Sequence, residues 1–204
     1  MGIEIEPIFA DFLAHNDYSN EIDLNKLKEE IYDYIDKYED GGIIKSNLGG
    51  FHSKDLNFEI IENSEYFNFK KLLNNIFNDV NNILEDNKLM ISSMWININK
   101  SGDLNNIHAH QHSIISGVFY IDIPDNLNNN EGKIIFYRSR EYADYGMDNY
   151  TKNMHKVFKH STYNITPKPG ILICFPSYLL HSVDPHFSEK NRISISFNTS
   201  LKGK

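Results

Sequence analysis

The sequence predicts a mostly β protein, a β-sandwich or jelly roll in which N-terminal helices pack on one sheet. Apolar residues recur at helical spacing in two segments, Leu24 to Tyr38 and about Glu65 to Leu84. From Lys88 onward the spacing changes to period two, in short segments rich in Ile, Val, Phe and Tyr. Two helices followed by many short strands indicate a sheet-on-sheet core with helical support.

The two predicted helices differ in how clearly their ends are marked. Asp23 is placed to cap the start of the first helix, and Gly41-Gly42 ends it. The second helix carries one apolar stripe, which we interpret as core packing. The stripe consists of Phe69, Leu72, Leu73, Ile76, Phe77, Val80, Ile83 and Leu84.

The predicted strands are short segments bounded by Gly, Pro, Asn or Asp. They cover Met90–Asn99, Ser113–Ile123, Gly132–Arg138, Gly170–Phe175, Leu179–Val183 and Arg192–Thr199. In the first of them, alternation puts Trp95, Asn97 and Asn99 on one side of the strand. Met94, Ile96 and Ile98 then lie on the opposite side.

The chain length suits a single domain. It has 204 residues, and no internal repeat or interdomain linker interrupts them. We expect one domain over 1–204, with helical support in 1–88 and the β core in 89–204. A long, charged, tyrosine-rich loop from Glu141 to Lys159 is of the length that functional lids often have.

Composition limits the classes of partner. The chain carries 20 Lys and Arg against 28 Asp and Glu, a net charge of −8. Because binding to a phosphate backbone requires a basic face, we expect no duplex nucleic acid partner. The most apolar stretch, Gly170 to Leu180, is too short to span a membrane, and we expect no membrane partner. The single cysteine, Cys174, excludes an intramolecular disulfide and favours a cytoplasmic setting.

Four of the nine histidines form a pattern typical of a metal site. His108, His110 and His112 alternate, so an extended backbone would point all three to one face. His181 follows about 70 residues later on a predicted strand. An H-x-H pair and one distant imidazole can hold Fe, Zn, Cu or Ni and leave coordination positions open. Either His110 or His112 could be the second ligand.

Arg192 opens the last predicted strand, on the same face as Ser194 and Ser196. A guanidinium in an apolar strand is costly unless its charge is paired. It can grip a carboxylate with two parallel hydrogen bonds, and a nearby serine can add a third. The pattern therefore predicts an anion pocket for a dicarboxylate, and a structural ion pair is the alternative.

Taken together, five motifs resemble the Fe(II)/2-oxoglutarate-dependent oxygenase superfamily over about residues 90 to 199. More closely, they resemble an uncharacterised branch of 2-oxoglutarate oxygenases from phages and marine bacteria that is related to prolyl hydroxylases. The motifs are His108-x-His110, Ser116-Gly117-Val118-Phe119-Tyr120, Gly132-Lys133-Ile134-Ile135-Phe136, Pro169-Gly170 with Phe175-Pro176 and His181-Ser182-Val183, and Arg192-Ile193-Ser194-Ile195-Ser196-Phe197-Asn198.

The resemblance implies a double-stranded β-helix, a jelly roll of the cupin type, and a role for each matching residue. It implies three metal ligands, which are also the catalytic residues: His108, His110 and His181. It further implies a binding pocket for 2-oxoglutarate in which Arg192 holds the distal carboxylate and Ser194 and Tyr120 assist. Asn97 is a weaker candidate for the same pocket.

One position departs from the superfamily pattern. The superfamily usually has H-x-D, and here His110 stands in place of the acid. The substitution leaves a bound Fe(II) site one unit more positive. Because three histidines and a water are also a zinc arrangement, we expect zinc or nickel to be able to replace iron in the purified protein.

The resemblance implies an Fe(II)- and 2-oxoglutarate-dependent dioxygenase that uses O2, hydroxylates a substrate and releases succinate and CO2. The alternative is a cupin-like metal-binding protein without oxygenase activity, in which Arg192 makes a structural ion pair. Binding of 2-oxoglutarate that depends on Arg192 would distinguish the two.

The residues at and after the end of the third predicted strand bear on the substrate. Tyr137, Arg138 and Arg140 follow a predicted strand, and we expect them to lie at the rim of the site. Their mixed aromatic and cationic character suits a small molecule or a peptide. A homodimer is compatible with the sequence.

Overall fold

The computed structural model describes residues 11–83, 88–125, 127–128, 131–138 and 162–203. Its helices are α1 (Leu24–Tyr38), α2 (Phe58–Asn63) and α3 (Phe67–Ile83). Its strands are β1 (Ala14–Asp17), β2 (Asn47–Leu48), β3 (Phe51–His52), β4 (Leu89–Asn99), β5 (Leu104–His108), β6 (Ile115–Asp122), β7 (Ile134–Tyr137), β8 (Thr162–Ile165), β9 (Ile171–Pro176), β10 (His181–Val183) and β11 (Arg192–Leu201).

The strands form two antiparallel sheets. The larger sheet has the order β1-β9-β6-β11-β4-β3, and the smaller has the order β2-β5-β10-β7-β8. Strands β4 to β11 pass back and forth between the two sheets, which is the winding of a jelly roll. The predicted fold class is therefore confirmed, and β5 and β8 are strands that the sequence analysis missed.

Both long helices pack on the larger sheet, as predicted. Helix α1 contacts β6, and α3 contacts β4. The side chain of Asp23 accepts a hydrogen bond from the Lys26 N–H, so the predicted cap is confirmed. The carboxylate of Glu30, on α1, accepts hydrogen bonds from the backbone N–H groups of Asn68 and Phe69 at the start of α3. In the described part of the chain, no helix is long and apolar enough to cross a membrane.

The N-terminal part contributes three short strands in addition to the predicted helices. Strands β1 and β3 occupy the two edges of the larger sheet, and β2 occupies an edge of the smaller sheet. Each contains only two to four residues, too few for an alternating pattern to be recognised in the sequence. This segment therefore extends both sheets in addition to supplying helices.

Strand β11 is central in the larger sheet and separates two environments. It pairs with β4 along its whole length and with β6 over six positions. Its apolar residues, Ile193, Ile195 and Phe197, face the helices and belong to the main core. Arg192, Ser194 and Ser196 face the space between the sheets, where they line a cavity.

The same alternation holds on β4, as the sequence predicted. Met94, Ile96 and Ile98 join the core under the helices. The residues between and beyond them, Trp95, Asn97 and Asn99, line the cavity. The larger sheet thus presents an apolar face to α1 and α3 and a polar face to the smaller sheet.

Gly117, in the Ser-Gly-Val motif of β6, lets Phe197 of β11 pack directly against the backbone of β6. A Cβ atom on Gly117 would overlap the ring of Phe197 and lie 2.9 Å from the carbonyl oxygen of Ile173. Phe197 is fully buried in the core under the helices. The glycine is therefore required by close packing, because no side chain fits between β11 and β9 at this point.

We expect Gly117→Ala to lower the free energy of unfolding by about 1–3 kcal/mol, because the added methyl overpacks the core. Chemical denaturation measures this change. In a double-mutant cycle with Phe197→Leu, the smaller side chain makes room for the methyl, so the combined loss should be smaller than the sum of the two single losses. Additive losses would show that the Phe197 ring is not what excludes a side chain at position 117.

Candidate metal centre and anion pocket

Three of the four patterned histidines converge in space. The possible ligand nitrogens of His108, His110 and His181 all lie within 4.8 Å of one another. His108 ends β5 and His181 begins β10, and the two residues are paired in register across these strands. Their ring centroids are 4.3 Å apart, and each is 5.1 Å from the ring of His110.

His110 reaches the cluster through a turn, not through a continuous strand. Strand β5 ends at His108, and the His110 backbone N–H donates to the carbonyl oxygen of Ser177 over 2.9 Å. Ser177 lies in the turn between β9 and β10, just before His181. The turn that leads into the third histidine therefore also holds the second.

His112 lies outside this cluster. It is exposed, and its φ of 63° places it in the left-handed region. The backbone is therefore not extended from His108 to His112, and the three alternating histidines do not share one face. The chain leaves the strand after His108, and of the two alternatives the structure brings His110 to His108 and His181.

The surroundings of the histidines hold the imidazoles neutral. Burial, with the neighbouring imidazoles, lowers the pKa of His181 to about 3 and that of His110 to about 4. Burial also lowers the pKa of His108. Neutral imidazole is the form that binds metals, so these rings are ready to act as ligands at neutral pH.

Hydrogen bonds to backbone carbonyls fix which ring nitrogen of His108 and of His181 can bind a metal. Nδ1–H of His108 donates to the carbonyl oxygen of Asn106 over 2.7 Å, and Nδ1–H of His181 donates to that of Leu179 over 2.8 Å. The lone pair of each ring is then on Nε2. Such carbonyl contacts fix the tautomer and orientation of metal-binding histidines, so the donor set fits a divalent iron, zinc or nickel ion.

Arg192 lies in the same cavity as a buried cation without an acidic partner. Its side chain is 2% exposed. Nη2 donates to Oδ1 of Asn99 over 2.9 Å and Nη1 donates to the carbonyl oxygen of Gly132 over 3.2 Å, while Nε has no hydrogen-bond partner. None of the ion pairs in the described part of the chain includes Arg192.

This environment favours an anion pocket over a structural ion pair. Burial lowers the pKa of the Arg192 guanidinium, yet an arginine stays charged in proteins. Both of its hydrogen-bond partners are neutral, so no described residue compensates its charge through a hydrogen bond or an ion pair. A buried cation in this state is costly unless an anion binds beside it.

Tyr120 and Ser194 lie beside Arg192, as the resemblance implied. Ser194 is paired in register with Tyr120 on one side and with Asn97 on the other. Burial raises the pKa of Tyr120 to about 12, so its hydroxyl stays protonated and can donate a hydrogen bond. Asn97 instead donates to Oγ of Ser196 over 3.0 Å. All of these residues line the cavity that contains the three histidines.

Of the three residues expected at the rim, the structure describes Tyr137 and Arg138. Tyr137 does not line the cavity: its hydroxyl is hydrogen-bonded to Ser182 at 2.9 Å. Phe136, which precedes Tyr137, packs against His181, so alternation turns Tyr137 to the other face of β7. Arg138 follows β7 and is half-buried, and Arg140 and the loop from Glu141 to Lys159 lie outside the described residues.

Some contributors to the site went unrecognised in the sequence. The ring of His52, on β3, stacks on Trp95 with the centroids 5.4 Å apart, and Trp95 in turn lies 5.8 Å from His110. Ser46 places its Oγ 3.4 Å from Nε2 of His108. The alternation of β4 signalled that Trp95 faces the cavity. Nothing in the sequence signalled His52 or Ser46, because short edge segments bring them there.

Solved structures share this fold at low sequence identity. A Pseudomonas putida prolyl-4-hydroxylase matches with a TM-score of 0.60 and 11% identity, over 94% of this chain and 93% of its own. HygX from Streptomyces hygroscopicus, solved with nickel and 2-oxoglutarate bound, matches with a TM-score of 0.62 and 9% identity, over 94% and 83%.

A third structure, a Trichoplax adhaerens prolyl hydroxylase in complex with a hypoxia inducible factor peptide fragment, matches with a TM-score of 0.59 and 13% identity, over 93% and 84%. No curated protein matches the sequence.

A family model identifies the chain more directly. The model described as "Putative 2OG-Fe(II) oxygenase" matches residues 93–198, just over half of the sequence. The match contains β4 to β11 almost completely and includes the three clustered histidines and Arg192. The chain therefore belongs to the 2OG-Fe(II) oxygenase family and is an Fe(II)- and 2-oxoglutarate-dependent dioxygenase.

Proposed function

We propose that His108, His110 and His181 hold Fe(II) and that Arg192 binds the distal carboxylate of 2-oxoglutarate beside it. The observation that carries this proposal is that three neutral imidazoles and an uncompensated guanidinium line one cavity. A metal site alone would need only the histidines. The buried cation next to them gives a dicarboxylate co-substrate its second point of attachment.

The reaction that follows is a hydroxylation. 2-Oxoglutarate, O2 and a substrate C–H bond give succinate, CO2 and a C–OH group, with one oxygen atom entering succinate and the other entering the substrate. Bound iron supplies the activation of oxygen, which protein side chains cannot provide. The chain's own residues supply the ligands, the orientation of the co-substrate and the exclusion of water.

The anion pocket orients 2-oxoglutarate through donors that are already in place. Asn99 and the Gly132 carbonyl fix the Arg192 guanidinium, and its Nε–H remains free to donate to a carboxylate. The Tyr120 hydroxyl has no hydrogen-bond partner among the described residues and supplies a second donor. Because these donors are buried and held by the sheet, binding requires little reorganisation.

Apolar side chains shield the proposed metal from bulk water on one side. The ring of Phe175 lies 4.8 Å from that of His181, and Phe136 lies 6.0 Å from it on the same side. The other two histidines have polar or amphipathic neighbours instead: Trp95 lies next to His110 and Ser46 lies next to His108. We propose that a small molecule or a peptide approaches the site past Trp95 and Ser46.

The proposal is tested by adding Fe(II) and 2-oxoglutarate to the apoprotein without oxygen. Chelation of 2-oxoglutarate to Fe(II) gives a visible charge-transfer band, and we expect it in the wild type. A protein that binds metal but gives no band would be a cupin-like metal-binding protein without this co-substrate.

We expect Arg192→Ala to weaken 2-oxoglutarate binding about 100-fold, because the variant removes the positive charge beside the distal carboxylate and a hydrogen bond between charged groups is worth up to about 3 kcal/mol. Titration of the anaerobic band measures the affinity. The metal content of this variant should stay at the wild-type level, since Arg192 is not among the clustered histidines. Unchanged affinity for 2-oxoglutarate would remove Arg192 from the pocket.

Tyr120→Phe should produce a smaller effect of the same kind. It removes one neutral hydroxyl donor and keeps the buried ring, so we expect the affinity for 2-oxoglutarate to fall about three- to tenfold. The same titration measures it. An affinity equal to the wild type would mean that Tyr120 only packs in the cavity.

His181→Ala should abolish stoichiometric metal binding, because it removes the one ligand contributed by β10. Metal analysis of protein prepared without a histidine tag measures this loss. His112→Ala is the matched control: it removes an exposed histidine two residues from His110 and should leave metal content unchanged. Equal metal content in the two variants would exclude the three-histidine site.

A further inference from the structure

We propose that the substrate of this enzyme carries a single negative charge, on a carboxylate or an equivalent anionic group, in the part of the cavity next to the three histidines. The inference rests on the proposed function, because it follows from the charge of the site once Fe(II) and 2-oxoglutarate are bound.

The charges of the occupied site do not cancel. Fe(II) contributes two positive charges and Arg192 one, the three histidines are neutral, and 2-oxoglutarate contributes two negative charges. One positive charge is left. Among the described residues, the cavity is lined by amides, hydroxyls, imidazoles, apolar groups and Arg192, and by no Asp or Glu.

The uncancelled positive charge results from the histidine at position 110. An aspartate at this position, as in the usual H-x-D pattern of the superfamily, would bring the same sum to zero. With His110 the positive charge stays in a half-buried cluster, where solvent screens it less than at the surface. A charge in such a place favours a counterion.

Asp103, the described acid whose charge acts on Arg192, is not placed to be that counterion. Its Oδ2 accepts a hydrogen bond from the Lys100 backbone N–H over 2.6 Å. Its carboxylate packs against the turn at Gly49 and Gly50 and does not line the cavity. The described residues therefore place no negative group on the imidazole side of the cavity.

The imidazole side of the cavity also offers hydrogen-bond donors. Trp95 lines it, and in the described part of the chain its indole N–H makes no hydrogen bond; this group can only donate. The Ser46 hydroxyl accepts from Nδ2 of Asn105 over 3.2 Å and lies 3.4 Å from Nε2 of His108. When a metal ion takes the lone pair of that nitrogen, the Ser46 proton becomes available to another acceptor. Lys45, exposed and next to Ser46, adds a charge of the same sign. An anionic group would find both donors and a favourable field here, although the chain as a whole is acidic.

The test compares an anion with its neutral analogue in the anaerobic protein loaded with Fe(II) and saturating 2-oxoglutarate. Propionate and propionamide have nearly the same shape and differ in charge. At constant ionic strength, we expect propionate to shift the charge-transfer band with at least tenfold higher affinity than propionamide. An N-acetylated aspartyl amide tests whether a carboxylate on a peptide is also accepted; a shift with either acid supports the proposal.

A pair of variants links the effect to His110. His110→Asp adds a negative charge inside the cluster, and propionate affinity should fall at least tenfold. His112→Asp adds the same charge at the exposed neighbouring histidine, and affinity should stay within about twofold of the wild type because solvent screens it. Thermal unfolding of both variants shows whether they are folded.

The outcomes separate this inference from the proposed function. No band with Fe(II) and 2-oxoglutarate overturns both. A band that neither acid shifts, or that propionate and propionamide shift equally, overturns the anionic substrate alone. A band that propionate removes and more 2-oxoglutarate restores is competition for the co-substrate pocket, which also contradicts the inference.

Discussion

The uncompensated charge of Arg192 is the constraint on which the other features of the site depend. Arg192 is the first residue of the central strand β11, and its guanidinium lies in the space between the sheets. The guanidinium donates hydrogen bonds to Asn99 and to the Gly132 carbonyl. Both acceptors are neutral, so they fix its position without neutralising it. A buried cation in this state favours an anion beside it, and a dicarboxylate that also reaches the three histidines provides one.

The jelly roll explains how distant residues meet at this point. Strands β5 and β10 bring His108 and His181 into register, and the turn before β10 holds His110 by a single backbone hydrogen bond. The opposite sheet supplies Arg192, Ser194 and Tyr120 from adjacent strands. Two sheets therefore contribute separate functions: one carries the proposed metal ligands and the other carries the anion pocket. The apolar face of the second sheet packs under the helices, which fixes its polar face in place.

The alternation of residues in β4 and β11 was sufficient to predict the cavity face, because a two-residue period is strict in a paired strand. Helix α1 was predictable to its ends, since Asp23 caps it. The three alternating histidines were harder to interpret, because the strand ends at His108 and alternation therefore does not extend to His112. His52 and Ser46 reach the site on edge segments too short to show any period. Tyr137, expected at the rim, lies on the face of β7 that points away from the cavity, because Phe136 before it packs against His181.

The decisive measurement is a crystal structure of the protein grown without oxygen, with Fe(II) or Ni(II) and 2-oxoglutarate. We expect one metal ion bound by His108, His110 and His181, with Nε2 as the ligand atom of His108 and His181. We also expect the distal carboxylate of 2-oxoglutarate to lie within hydrogen-bond distance of Arg192 Nε and the Tyr120 hydroxyl. A metal ion bound elsewhere, or a 2-oxoglutarate molecule that leaves Arg192 without an anionic partner, would contradict this arrangement.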